Sequence, residues 1–224
     1  MVGSAAEREI RNAVVTRVKA IRPNARILHE LRCGGCRADL AAIDDESVIL
    51  FELKSERDTL KRAPEQIRQF TGIAHHTVVV AHRRWFDEAP YSNGRPRLAP
   101  PPELGVPSQK IWCYPEPQAD EGVSAGWYRW NLPAPSRDQP HARALLGLLW
   151  RDELLAEARR HDVLIPARVR APEIVAELAW AMTGREIAQA VCRQLRARIV
   201  LEGDAPIVAV DASRVALKEA GHVA

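Results

Sequence analysis

Residues 37–62 have the sequence RADLAAIDDESVILFELKSERDTLKR. Two apolar runs, ADLAAI and VILFELK, flank the polar turn DDES, and this pattern predicts an antiparallel β-hairpin. Side chains alternate between the two faces of a strand, so Asp39, Glu52 and Lys54 interrupt one apolar face at the open end of the hairpin. A plain hairpin has no use for charges at that position.

The register of the hairpin follows from a turn centred between Asp45 and Glu46. This register places Asp39 directly opposite Glu52, on the same side of the pair, with Lys54 two residues further along. Because opposed like charges repel, the two carboxylates need a compensating cation. Mg²⁺ takes carboxylate, phosphate and water oxygens as ligands. A metal-bound water beside an ammonium group is suited to phosphodiester hydrolysis.

A solvated face with surface ion pairs is the alternative, in which Asp39 pairs with Arg37 and Glu52 pairs with Lys54. Such a face would carry polar residues at its other positions. Those positions are apolar instead: Ala41, Ile43, Val48 and Leu50. The charges therefore lie at one end of a buried face, which favours a functional site.

The elements around the hairpin are predicted from hydrophobic periodicity and turn residues. We expect a helix over 4–21, a strand over 25–31, a CGGC turn at 33–36, a helix over 64–74 and a buried strand over 77–82. With the hairpin, the order is α-β-β-β-α-β. The first half of the chain is therefore predicted to have an α/β fold.

The second half of the chain has a different composition. Residues 87–109 are rich in proline and predict a long surface loop. From about residue 141, Ala, Leu and Arg predominate, and 142–160 predict one helix that two more helices follow. We expect a core domain over 1–138 and a small helical C-terminal region over 139–224.

Composition excludes several classes of protein. The 224 residues carry a net charge of +3 and are 46% hydrophobic, as is usual for a soluble globular protein. Four cysteines do not make a disulfide framework, the N-terminus has no apolar signal segment, and no apolar run is long enough to cross a bilayer. With no P-loop motif either, we expect a cytoplasmic protein without membrane contact or nucleotide cofactor.

Asp39 and the run Glu52-Leu53-Lys54 resemble the motif of the PD-(D/E)XK nuclease superfamily, which has the restriction-endonuclease-like fold. The order α-β-β-β-α-β is similar to the core of that family, which is built on a mixed sheet. The run FELKSERDTLKRAPEQIRQF, followed by TVVV, resembles bacterial and phage members that also carry a helical C-terminal region. The resemblance covers about residues 5–85, and Ala38 stands where the motif has proline.

The resemblance implies a Mg²⁺- or Mn²⁺-dependent deoxyribonuclease. In that family Asp39 would be the central metal ligand, Glu52 a second ligand, and the backbone carbonyl of Leu53 a third. Lys54 would position or activate the attacking water. Gln66 matches a supporting glutamine of some members, although a solvated helix position explains it equally.

Two further glutamates are candidates for the metal site. Many members of the family add a glutamate from the first helix, and Glu7 lies in phase with the apolar face of that helix. Glu7 also has capping-box spacing from Ser4, so a helix cap is the competing interpretation. Glu30, just before the CGGC turn, is the other candidate, and an ordinary charge at a sheet edge is its alternative.

Basic residues near the motif are candidates for phosphate binding. They are Arg37, Arg57, Lys61, Arg62 and Arg68. A normal charged helix face is the alternative for each of them. DNA is the expected partner, and the protein is expected to form either a monomer or a homodimer.

A second function competes with catalysis. The chain would then be a catalytically silent nuclease-fold protein that binds DNA or a protein partner, as a regulator does. Residues 171–199 have the pattern of a helix-turn-helix, with arginines toward DNA: Arg185, Arg193, Arg196 and Arg198. Trp150 and Trp180 are expected to pack inside the helical region. Cys33 and Cys36 are expected to be free thiols in a tight turn.

Overall fold

A computed structural model describes residues 4–90, 96–105, 110–117, 130–132 and 140–207. Its elements follow the predicted order. The first six are α1 (Ala5–Ile21), β1 (Arg26–Cys33), β2 (Cys36–Ile43), β3 (Val48–Lys54), α2 (Ala63–Thr71) and β4 (His76–His82). Then come β5 (Asp87–Pro90), β6 (Pro96–Ala99), β7 (Ile111–Tyr114), α3 (Ala142–Leu146), α4 (Arg151–Arg160), α5 (Ala171–Ala181) and α6 (Gly184–Ala197).

Five strands form one mixed sheet in the order β1-β2-β3-β4-β7. The pairs β1–β2 and β2–β3 are antiparallel, whereas β3–β4 and β4–β7 are parallel. The predicted hairpin register is confirmed from Ile43, which pairs with Val48, to Leu40, which pairs with Phe51. Apolar residues on both faces fix this register, because a shift by one residue would exchange the faces.

Helices cover both faces of the sheet, which gives three layers. On one face α1 contributes Ile10, Val14 and Val18 to a core with the sheet residues Ile27, Leu40, Ile49, Phe51 and Val80. On the other face α2 and the C-terminal helices share one core with β1, β2 and β3. Its members include Leu28, Ala41, Leu50, Phe70, Leu146, Leu178 and Leu195. The C-terminal helices therefore help to bury the sheet that carries the motif.

The C-terminal region differs in detail from its prediction. The single helix predicted over 142–160 is two helices, because Gly147 follows α3 and α4 begins anew where Glu153 accepts a hydrogen bond from the Trp150 backbone at 2.7 Å. The predicted packing of Trp180 was wrong. Leu178 is buried and Trp180, two residues later, lies on the opposite side of α5 with 90% of its surface exposed. The predicted domain boundary between 138 and 139 lies outside the described residues.

The predicted loop over 87–109 was wrong in part. Its described residues include the antiparallel pair β5–β6 and a short 3-10 helix at Pro102–Leu104, which buries Leu104. Pro90 and Pro96, which pair at one end of β5–β6, are tolerated because this two-stranded sheet has only edge strands. Among the described residues, no helix is long and apolar enough to span a membrane.

Candidate metal centre

Asp39 lies where β2 separates from both of its neighbours. The predicted pair between Asp39 and Glu52 was wrong, since the β2–β3 ladder ends at Leu40 and Phe51. Beyond that point Asp39 Oδ2 accepts a hydrogen bond from the Leu53 amide at 2.7 Å. The Asp39 side chain thus takes the place of a backbone partner for β3.

The opposite edge of Asp39 is also irregular. The β1–β2 ladder includes His29 with Leu40 and Leu31 with Ala38, but the pair between them, Glu30 and Asp39, is missing. Glu30 has a left-handed backbone with φ of 55°, which is uncommon for a residue other than glycine. The Glu30 carboxylate lies beside Asp39, with a ligand oxygen of each within 4.8 Å of the other.

Glu52 is a buried carboxylate with one satisfied oxygen. Only 2% of its surface is exposed, and Oε1 accepts a hydrogen bond from Lys54 Nζ at 2.7 Å. Oε2 is buried and has no hydrogen-bond partner among the described residues. A buried charged oxygen without a donor is unfavourable, so Glu52 needs either a proton or a cation at that atom.

The electrostatics of both carboxylates indicate a missing positive charge. Burial raises the pKa of Asp39 to about 7, and the charge of Glu52 acts in the same direction, against the Leu53 amide and Lys54. Burial also raises the pKa of Glu52, although Lys54 favours the charged form. Two neighbouring carboxylates with raised pKa values are the environment that a divalent cation would stabilise.

The side chain of Lys54, the last residue of the motif, lies between Glu52 and α2. It is only 8% exposed, and its ammonium group donates to Glu52 and, at 3.4 Å, to Gln66 Oε1. The structure thus brings Gln66 into contact with Lys54. Two acceptors that hold one ammonium group restrict its rotation, and this fixes its position at the end of β3.

The first helix also contributes to the centre. The predicted helix cap at Glu7 is confirmed, and its role as a metal ligand stays a prediction. Ser4 Oγ accepts a hydrogen bond from the Glu7 amide at 3.1 Å, which caps α1. The Glu7 carboxylate points elsewhere and pairs with Arg11 at 2.6 Å. Oxygen atoms of Glu7, Glu30 and Asp39 all lie within 4.8 Å of one another. Sequence reasoning did not single out Arg11, although it follows Glu7 by one helical turn.

The basic residues near the motif divide into two groups. Arg37 pairs with Glu30 at 2.7 Å, and Arg68 pairs with Glu65 at 2.6 Å. The other three are exposed and lie between β3 and α2: Arg57, Lys61 and Arg62. Arg57 lies 4.0 Å from Glu56, which is at the limit of an ion pair. All five side chains are exposed, but Arg57, Lys61 and Arg62 have no ion pair shorter than 4.0 Å among the described residues, so these three are better placed to contact a polyanion.

The arginines of the helix-turn-helix pattern all make ion pairs within the chain. Arg185 and Arg196 pair with Glu46 and Asp45 in the β2–β3 turn. The other two pair with residues of α4: Arg193 with Glu157, and Arg198 with Glu153. Trp150 is 58% exposed, and the Arg198 guanidinium lies 4.3 Å from its ring centre. These contacts fasten α6 to its neighbours and occupy the side chains that would face DNA.

The CGGC turn carries no paired metal or redox motif among the described residues. All four cysteines are free thiols, and Gly34 has a φ of 61°, which the tight turn requires. Burial raises the pKa of Cys33 to about 12, so this thiol is unreactive at neutral pH.

The raised pKa of Asp39 predicts how stability depends on pH. Because the folded protein binds this proton more tightly than the unfolded chain, the stabilisation is complete below about pH 4 and is lost as the pH rises through about 7. In EDTA, the wild type should lose on the order of 2–4 kcal/mol of unfolding free energy across this range relative to Asp39→Asn. Urea unfolding at several pH values measures this difference, and parallel profiles would contradict it.

Of the comparisons with known proteins, a family model matches the part of the chain that carries the candidate centre. No curated protein and no solved structure matches the chain. A family model matches residues 1–90, a segment that includes Glu7, Arg11, Glu30, Asp39, Glu52, Lys54 and Gln66. In these residues the chain is similar to the family described as bacteriophage P4 protein cII.

Proposed function

We propose that the protein is a metal-dependent nuclease that hydrolyses DNA phosphodiester bonds with Mg²⁺ or Mn²⁺. One observation carries this proposal: Asp39 and Glu52, two carboxylates with raised pKa values, lie beside the ammonium group of Lys54 at the end of β3. Hard divalent cations bind such carboxylate oxygens, and the proposal agrees with the resemblance to the PD-(D/E)XK nuclease superfamily.

The residues present fit a divalent cation. Glu52 Oε2 has no hydrogen-bond partner among the described residues, so it is free to become a ligand. Asp39 uses Oδ2 for the Leu53 amide and would offer its other oxygen. The Leu53 carbonyl stays a predicted third ligand. When bound, the cation polarises a phosphoryl oxygen and lowers the pKa of a bound water.

Lys54 would act on the substrate directly. Glu52 and Gln66 hold its ammonium group, which has three N–H donors. A donor in this position would orient the attacking water or stabilise the charge that develops on the phosphoryl oxygens. The exposed residues Arg57 and Lys61 would contact the DNA backbone, and a homodimer stays a prediction.

The test is a cleavage assay on linear, circular, single-stranded and branched DNA with Mg²⁺, Mn²⁺ or EDTA. We expect metal-dependent cleavage by the wild type and a loss of at least about 100-fold in Asp39→Asn, because the amide keeps the acceptor for Leu53 but removes the ligand charge. Asp152→Asn is the matched control, since the Asp152 side chain is 97% exposed on α4. Equal products from the wild type and Asp39→Asn on every substrate would refute the enzyme.

A second candidate function is favoured by the ion pairs of the site. Lys54 neutralises Glu52, and Arg11 neutralises Glu7 and Glu30, so much of the local charge is compensated within the chain. A nuclease-fold protein that binds DNA or a protein partner without cleaving it would retain these ion pairs and bind no metal ion. The same assay distinguishes the two, because this protein would retain DNA in a gel-shift experiment and leave it intact with every metal.

A further inference from the structure

Arg11 is a buried cation at the candidate metal centre. Only 8% of its surface is exposed, and its terminal nitrogens all face acceptors. Nη2 donates to Glu7 Oε1 at 2.6 Å and to Glu30 Oε1 at 3.0 Å. Nη1 donates to the Asp39 backbone carbonyl and lies 3.2 Å from His29 Nδ1. The two terminal nitrogens carry four N–H donors, so this set of acceptors saturates them.

The acceptors of Arg11 coincide with a set of carboxylates that would otherwise suit a metal ion. Glu7, Glu30 and Asp39 have ligand oxygens within 4.8 Å of one another. Glu30 is further neutralised by Arg37, at 2.7 Å from its second oxygen. The carboxylates next to Asp39 on the α1 side are therefore already neutralised by the guanidinium groups of Arg11 and Arg37.

The carboxylates on the two sides of Asp39 differ in whether their oxygens have partners. Toward α1, the oxygens of Glu7 and Glu30 are paired with guanidinium groups. Toward β3, Glu52 Oε2 is buried without a partner. A divalent ion next to Arg11 would be repelled by the guanidinium charge. An ion between Asp39 and Glu52 would meet the ammonium charge of Lys54 on Oε1, but it would also meet Oε2, which has no hydrogen-bond partner among the described residues.

We infer that Arg11 is the resident cation of Glu7 and Glu30 and that the centre takes a single divalent metal ion, between Asp39 and Glu52. This inference rests on the proposed nuclease function, whose chemistry it narrows to one metal with an arginine beside it. Arg11 is a positioning residue. It holds the Asp39 backbone and the carboxylates of α1 and β1 in place, and it prevents a second ion from binding there.

The test measures the number of Mn²⁺ ions bound per chain, by calorimetry and by the loss of the free Mn²⁺ resonance signal. We expect one ion for the wild type, and one ion for Arg11→Lys, which keeps the charge. Arg11→Met keeps an apolar stem but frees the Glu7 and Glu30 carboxylates beside Asp39, so it should bind two. In Glu7→Gln the amide still accepts from Arg11, so one ion should bind with a Kd within about threefold of wild type.

Each outcome decides the inference. Two ions in the wild type, or loss of the ion in Glu7→Gln, would overturn it and leave a nuclease with a different metal arrangement. A wild type that binds no Mn²⁺ but still cleaves DNA would overturn the metal in both proposals. If Arg11→Met does not fold, as judged by circular dichroism, the wild type and Glu7→Gln still give the answer.

Discussion

Lys54→Met should lower metal-dependent DNA cleavage by at least about 100-fold while Mn²⁺ still binds with near wild-type affinity. Methionine keeps an apolar stem of similar length, so α2 retains its packing, but the donor to water or phosphate is lost. The metal ligands stay in place. The Glu52 oxygen that Lys54 occupied at 2.7 Å becomes available to the ion.

Single-turnover cleavage and Mn²⁺ titration on the same preparation check this expectation. Lys110→Met is the matched control, because Lys110 immediately precedes β7, which is separated from β3 by β4 in the sheet. It should cleave DNA like the wild type. A Lys54→Met protein that retained cleavage within about threefold would remove Lys54 from the mechanism.

Comparison of Lys54→Met with Asp39→Asn distinguishes the role of a metal ligand from the role of a hydrogen-bond donor to the substrate. Asp39→Asn should lose both the ion and cleavage, since it removes a ligand charge, whereas Lys54→Met should lose only cleavage. A purely structural role for Lys54 predicts another result. It would lower the free energy of unfolding and reduce Mn²⁺ binding and cleavage together, because the end of β3 would become disordered.

The hairpin could be predicted from sequence because its signal is local. Ala41, Ile43, Val48 and Leu50 are apolar on one face, and only one register buries them together. The structure has this register. The same alternation placed Asp39 beside Glu52, and there it failed by one pair, since a carboxylate can replace a ladder partner by accepting the Leu53 amide.

The α1 side of the centre depends on tertiary contacts that no periodicity encodes. Glu30 has a left-handed backbone where the β1–β2 ladder is interrupted, and no turn residue marks that position in the sequence. Arg11 becomes buried only because α1 packs against β1 and β2, where Glu30 and the Asp39 carbonyl accept its hydrogen bonds. A polar residue one turn after Glu7 is a visible signal, but many surface helices have the same spacing.

In the helical region, too, the tertiary contacts of the side chains could not be predicted from sequence. Thr183 and Glu186 have the spacing of a capping box, and the hydrogen bonds of this capping box are present at the start of α6. The direction of its arginines was not predictable, because their partners lie far away in the sequence. Asp45 and Glu46 are in the β2–β3 turn, and they pair with Arg196 and Arg185 only in the folded protein.

Arg26→Met should lower the free energy of unfolding by about 3 kcal/mol or more, the largest stability effect that we expect from one substitution. Arg26 is fully buried at the start of β1. Its guanidinium donates to the carbonyls of Leu195 and Arg196, both at 2.8 Å, and to the carbonyl of Asp204. The first two carbonyls belong to the last turn of α6, where no intrahelical donor remains.

The substitution would leave the carbonyl groups of Leu195 and Asp204 without the donors of Arg26 in a place where water has little access, and the Arg196 carbonyl would keep only the Ile207 amide. Residues 202–204 depend on the same contact, because they lie along the outer edge of β1, with the Asp204 amide bonded to the Ile27 carbonyl at 2.8 Å. Both α6 and this segment should therefore loosen together. Arg22→Met is the control, since Arg22 is exposed and only 3.5 Å from Asp44, and it should change stability by less than about 1 kcal/mol.

Urea unfolding followed by circular dichroism measures both variants, and hydrogen exchange at the amides of Ile27 and Asp204 locates the effect. If Arg26→Met lost less than about 1 kcal/mol, its buried hydrogen bonds would contribute no more than a surface ion pair. If the stability fell but exchange at Asp204 stayed slow, the segment over 202–204 would be held by Lys19, which donates to the Asp204 carboxylate at 2.6 Å. Fast exchange at both amides would establish Arg26 as the residue that fastens the helical region to the strand beside the metal centre.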